Sequence, residues 1–139
     1  MSAQLIDGKA IAAKMRIEIT QQVQKRMDNG LAKPGLAVVL VGNDPASEVY
    51  VRNKNRDCES VGMFSEVIKL PDSTTQNELL NTVEELNARK DIHGILVQLP
   101  LPDQIDSDLI IDAIAPLKDV DGFHPYNVGR LVLRKPTLR

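Results

Sequence analysis

The segment LAVVLVG, residues 36–42, constrains the fold more than any other stretch of the chain. It is short, unbroken and rich in valine. A strand with one wet face alternates apolar and polar residues, whereas an unbroken run needs cover on both faces, as in a parallel sheet packed between helices. GILVQLPLP, residues 94–102, is a second such run and leads into prolines. FSEVIKL, residues 64–70, alternates with a period of two and reads as a strand nearer an edge.

Helical patterns separate these runs. Ile11, Met15, Ile19, Val23 and Met27 keep helical spacing, with Gly30 ending the stretch. DPASEVYV opens a second helix, with Asp44 suited to the N-cap, Pro45 to the first turn and Gly62 to the close. Thr75 and Glu78 form a capping-box pattern ahead of Leu79, Val83 and Leu86 on one face. Asp106 or Ser107 caps a short helix carrying Leu109, Ile110, Ala113 and Ile114, stopped at Pro116. A loop, KDVDGFHPYN, follows, and VGRLVLRKPTLR ends the sequence without an evident partner. The order α-β-α-β-α-β-α predicts an α/β domain: three layers, a mostly parallel sheet flanked by helices, and right-handed crossovers. Ligands in such sheets collect beyond the carboxyl ends of the strands. Gly42-Asn43-Asp44, Leu70-Pro71-Asp72 and Gln98-Leu99-Pro100 meet that description.

Composition removes several classes of function. The chain of 139 residues is long enough for one domain with a real core. Its formal net charge of −2 gives no general electrostatic case for nucleic acid or an anionic membrane as partner. No apolar run approaches the roughly 20 residues of a membrane helix, and MSAQLIDGKAIAAKM lacks a signal-peptide pattern. Cys58 stands alone, which excludes an internal disulfide framework and fits a reducing cytoplasmic setting. Two histidines and one widely spaced cysteine do not make a zinc site, so no metal is expected.

The helix SEVYVRNKNRDCESVG carries the sharpest chemical signal. A helix turns about 100° per residue. On that wheel Ser47, Tyr50, Val51, Lys54, Cys58 and Val61 share an arc of roughly 100°, while Glu48, Arg52, Asn55, Arg56 and Glu59 lie on the other side. Lys54 thus falls on the core-facing stripe, with Tyr50 one turn before it. A lone lysine there ordinarily snorkels, keeping its ammonium wet. Here it is mid-helix and shares the stripe with two hydrogen-bonding side chains, which points to a polar pocket above the sheet with Lys54 as its titratable, proton-transferring group. Tyr-x-x-x-Lys also occurs in short-chain dehydrogenases. That reading needs a glycine-rich dinucleotide loop after the first strand, and LVGNDPAS has one glycine, so it is rejected.

Gln98 interrupts a run that otherwise reads as buried. Such an amide needs partners and serves either loop backbone or the orientation of Lys54 or a ligand. Asp119 and Asp121 precede Gly122. They make an Asp-Gly turn or supply a carboxylate that grips a pair of N–H groups with two parallel hydrogen bonds. The further acidic ligands of a calcium loop are missing. His93 and His124 read as loop residues; Arg130 and Arg134 read as solvated surface, with anion binding as the alternative.

VGNDPASEVYVRNKNRDCESVG, GILVQLPLP and KDVDGFHPYNVGRL, in this order, resemble the first domain of bifunctional methylenetetrahydrofolate dehydrogenase/methenyltetrahydrofolate cyclohydrolase, in its bacterial form. The resemblance covers essentially the whole chain. It implies oxidation of 5,10-methylenetetrahydrofolate with NADP and hydrolysis of the methenyl product to 10-formyltetrahydrofolate. It implies Lys54 as the catalytic lysine, Tyr50 stacked on the folate ring system, Gln98 bonded to the lysine, and Asp121 anchoring the pterin. Ser47 and the Leu99-Pro100 backbone would line the same pocket. The family continues into a Rossmann-type NADP domain and returns to the first, so the resemblance implies a truncated chain that binds no nucleotide itself and leaves apolar surface uncovered. It also implies a homodimeric parent formed mainly through that other domain. The expected organisation is a folate-binding catalytic domain over residues 1–123 and a connecting segment over 124–139. Two alternatives stay open: a folate-binding module without catalysis, and a non-folate interaction domain in which Lys54 merely snorkels.

Overall fold

A computed structural model describes residues 6–137; residues 1–5 and 138–139, the outer ends of the two expected segments, lie outside the described residues. The elements are α1 (Gly8–Asp28), β1 (Gly35–Val41), α2 (Pro45–Ser60), β2 (Phe64–Leu70), α3 (Gln76–Ala88), β3 (Gly94–Val97), α4 (Ser107–Ala113) and α5 (Pro125–Val132). The three strands form one parallel sheet in the order β2-β1-β3. The unbroken apolar run is therefore the central strand, and the alternating run is an edge.

Helices cover both faces of the sheet, which makes the three layers. Ala37, Val39 and Val41 of β1 and Ile95 and Val97 of β3 point to one face. There they meet Leu79, Val83 and Leu86 of α3 and Ile110 of α4, with Ile114 just beyond it, in the larger core. Val38, Leu40 and Leu96 point to the other face and meet Val51 of α2 in a core of four buried residues. The period of two along β1 sorts its side chains between the layers. Asp44 caps α2 with its carboxylate on the Ser47 N–H at 2.7 Å, and Thr75 and Glu78 close the capping box of α3. Asp106, not Ser107, caps α4.

Four features differ from the sequence-based expectation. The run 94–102 is a strand only as far as Val97, because Pro100 and Pro102 have no N–H to give to a ladder. Leu109, assigned to the apolar face of α4, is 48% exposed; that short helix buries only Ile110. The segment PYNVGRLV is a helix, α5, not loop and tail: Pro125 sits in its first turn and the His124 side chain accepts the Tyr126 N–H. Finally, α1 is a helix as its spacing predicts, but only Val23 of its apolar stripe is buried. Ile11, Met15, Ile19 and Met27 are 38 to 55% exposed. An ion pair from Arg16 to Asp57 at 2.9 Å ties α1 to α2. This helix thus carries an apolar stripe that is largely exposed.

Candidate active site

The three strand-end turns gather at one rim of the sheet. The Gly42 N–H donates to the Leu70 carbonyl, and the Gln98 N–H donates to the Val39 carbonyl, both at 2.9 Å. Gly42 has φ +84°, and a Cβ there would lie 2.9 Å from an Asp72 carboxylate oxygen. Only glycine fits that close approach without strain.

Lys54 reaches this rim from α2. Its Nζ donates to Gln98 Oε1 at 3.2 Å. The other end of the amide is also satisfied, since Gln98 Nε2 donates to the Leu99 carbonyl at 2.8 Å. With both ends bonded, the amide can present only its oxygen to the lysine. Leu96 and Gln98 lie on the α2 side of β3 by the strand period, which explains why a polar residue at the end of a buried run meets the lysine. The Leu99-Pro100 peptide is cis.

The helical wheel is correct for Ser47 and Val51, which are buried, and for Lys54 and Cys58, which are half-buried. It is wrong for Tyr50, which is 61% exposed. The cause is placement: α2 packs on β1 and β2, so its flank toward β3 is open. Tyr50 and Lys54 share that flank, one turn apart. Ser47 is only 3% exposed and gives its N–H to Asp44. Burial pushes the Cys58 thiol up, with Asp57 adding to the shift.

The two aspartates of KDVDG part company. Asp119 is 3% exposed. Its Oδ1 accepts the Gly122 N–H at 3.0 Å; its Oδ2 accepts the His124 N–H and Asn127 Nδ2, both at 2.9 Å. Asp121 is exposed and, with Leu99, Phe123, Ser107 and Ile110, lines a narrow crevice of about 20 Å³ beside β3. Asp121 and Leu99 are thus brought together, as are Lys54, Gln98 and Leu99. Among the described residues no hydrogen bond or ion pair joins Asp121 to Lys54 or Tyr50. Lys118, to which no role was given from sequence, donates from Nζ to the carbonyls of Leu86, Asn87 and Arg89 at 3.0, 2.8 and 2.7 Å, closing the end of α3. His93 Nδ1 accepts the Gly35 N–H at 3.1 Å. The His124-Pro125 pair was the available signal for the α5 cap; nothing local marks the parts played by Lys118 and His93.

The turn after β1 does not fit a dinucleotide. The Asp44 carboxylate already takes the amide at the start of α2, and hydrogen bonds from Ser47 hold that carboxyl below its ordinary range. A pyrophosphate would meet a fixed negative charge where it needs free N–H groups.

Residues 6–121 match the family model described as tetrahydrofolate dehydrogenase/cyclohydrolase, catalytic domain. The chain belongs to that family. Among curated relatives, Bifunctional protein FolD of Geotalea daltonii is 60% identical over 134 residues, which is 96% of this chain and 48% of that protein. The chain spans about half the length of the curated relatives it matches. Among solved structures, the FolD methylenetetrahydrofolate dehydrogenase/cyclohydrolase of Campylobacter jejuni superposes with a TM-score of 0.92 at 49% identity, over 95% of this chain and 46% of that one. The Trypanosoma brucei enzyme, solved with NADP cofactor and an inhibitor, gives 0.91 at 35% identity, over 99% of this chain and 47% of that one. The fold described above is therefore the family's catalytic-domain fold, and the Lys54–Gln98 rim lies within the part of the chain that the family model covers.

Proposed function

We propose that this chain is the folate-binding catalytic domain of a bifunctional methylenetetrahydrofolate dehydrogenase/methenyltetrahydrofolate cyclohydrolase. The hydrogen bond from Lys54 to Gln98 at the carboxyl end of β3 carries the reading. It turns a lysine on a half-buried stripe into an oriented amine beside a site open to a ligand. Tyr50, exposed on the same flank, offers a ring face to the folate ring system. Asp121, exposed at the rim, offers a carboxylate fork to the amino and ring N–H groups of the pterin. The Leu99-Pro100 backbone, next in sequence to Gln98, borders the same rim, whereas Ser47 is only 3% exposed.

The hydrolytic step follows from these groups. Water oxygen bonds to the methenyl carbon of the cationic substrate as Lys54 Nζ takes one proton from it. The carbon–nitrogen bond of the ring then breaks, and the lysine returns its proton to the departing nitrogen. The remaining hydroxyl proton leaves to solvent as the formyl carbonyl forms. Gln98 keeps the amine aimed throughout. Acid–base help of this kind is typically worth about 10²–10⁴-fold. The turn after β1 does not fit NADP, so for the chain by itself that turn favours folate binding without redox chemistry. The whole protein is read as a cytoplasmic homodimer of one-carbon and purine metabolism that uses NADP as hydride acceptor. The connecting role of residues 124–139 belongs to the same reading. Among the described residues no helix is long and apolar enough to cross a membrane.

Lys54→Met in the intact protein tests the assignment. Cyclohydrolase turnover is expected to fall by at least about 10²-fold with the circular dichroism spectrum and melting midpoint retained. Turnover equal to wild type refutes it. The 139-residue chain mixed with methylenetetrahydrofolate and NADP is expected to give no absorbance change from NADPH, and a measurable rate would refute the second reading.

A further inference from the structure

The pterin reading of Asp121 leaves open what holds that carboxylate in place, since Asp121 itself is exposed and lies in a loop. The loop is fixed on both sides of it. On the incoming side, the Ile95 N–H donates to the Lys118 carbonyl at 2.7 Å, and Ile95 and Asp119 form a parallel bridge. On the outgoing side, the buried Asp119 carboxylate takes the amides of Gly122 and His124. Gly122 turns the chain with φ +71°. Val120 and Asp121 project between these two clamps.

Asn127 completes the arrangement. It is 9% exposed, and its Nδ2 donates both to Asp119 Oδ2 at 2.9 Å and to the Pro116 carbonyl at 2.8 Å. It therefore links α5 to the start of the loop and to the carboxylate that organises the rest. The Asp119 carboxylate, with three donors on two oxygens, has a defined rotation. A neutral amide in its place would turn an NH₂ group toward N–H donors.

We propose that Asp119 and Asn127 are positioning residues for Asp121, and that α5 serves the site by carrying Asn127. The inference rests on the reading of Asp121 as pterin anchor. A bidentate contact tolerates little rotation, so loosening the clamp misdirects the fork without touching Lys54. Because the amino and ring N–H edge that Asp121 would grip lies across the pterin from the reacting carbon, the loss falls on binding in ground and transition state alike.

The test uses the intact protein and three variants, Asn127→Ala, Asp121→Asn and the double substitution, assayed for methenyltetrahydrofolate hydrolysis. Asn127→Ala is expected to raise KM about tenfold while kcat stays within about twofold of wild type. The double substitution is expected to raise KM no further than Asp121→Asn alone, since both act through one contact. A folded Asn127→Ala protein with unchanged KM, beside an Asp121→Asn protein whose KM rises, overturns the proposal alone. Unchanged KM in Asp121→Asn overturns the pterin reading and the proposal with it. Fully additive effects assign Asn127 a merely structural part and also overturn it. If Asn127→Ala does not fold, Asn127→Ser, too short to bridge Pro116 and Asp119, is read by the same criteria.

Discussion

A lysine on an apolar stripe has two uses, and its neighbours decide between them. Lys54 meets the oxygen of an amide whose other end is already taken. Gln98→Ala is therefore expected to lower cyclohydrolase kcat about 10-fold or more, by letting the amine wander, while Lys54 remains present and the protein folded. Steady-state kinetics with a melting curve checks it. Lys54 and Gln98 were legible because each breaks a regular pattern, one a helical stripe and the other an apolar strand. The exposure of Tyr50 was not legible, since the wheel says which residues share a face but not where the sheet ends beneath it. Asp119 and Asp121 could not be told apart either. They sit in a loop without periodicity, and a partner eight residues downstream, Asn127, decides which is buried.

At the level of elements, caps and periodicity served well and weak helix formers misled. In α3 the cap pattern, the start of the helix and the buried face Leu79, Val83 and Leu86 all stand as read. Thr75→Ala should cost about 1 kcal/mol in denaturant unfolding. Glu78 adds a pH dependence. The Thr75 N–H, and next its hydroxyl, hold the Glu78 carboxyl below its ordinary value of 4.5. Its contribution is therefore fully present above pH 4.5 and is lost as pH falls through the lower folded value. In Glu78→Gln that part of the acid-side loss of stability should vanish, which urea titrations between pH 5 and about pH 3 would show. By contrast, α5 was missed because Val128, Gly129 and Val132 are poor helix formers. Tertiary bonds from Asn127 and the His124 cap outweigh that propensity.

For the whole molecule, the alternation of runs and stripes fixed the class of fold and the covered sheet, whereas long-range contacts alone set strand order. Burial is uneven across the layers. Leu79, fully buried in the larger core, should cost about 2–5 kcal/mol on truncation to Ala. The first helix buries one residue, so its opening should require much less free energy than global unfolding. Hydrogen exchange is expected to show amides of α1 exchanging well before those of β1; equal protection would contradict this.

The two faces of the sheet have a consequence for changing this protein by mutation. Lys54, the proposed catalytic lysine, rides on the face with four buried core residues, while the larger core lies behind the sheet. Tolerance of stabilising and destabilising substitutions should divide the same way. An evolving lineage, or an engineer, can adjust hardiness through α3 and α4 and leave the chemistry to drift independently through α2. The central strand, whose side chains alternate between both faces, is the one element where neither can change alone.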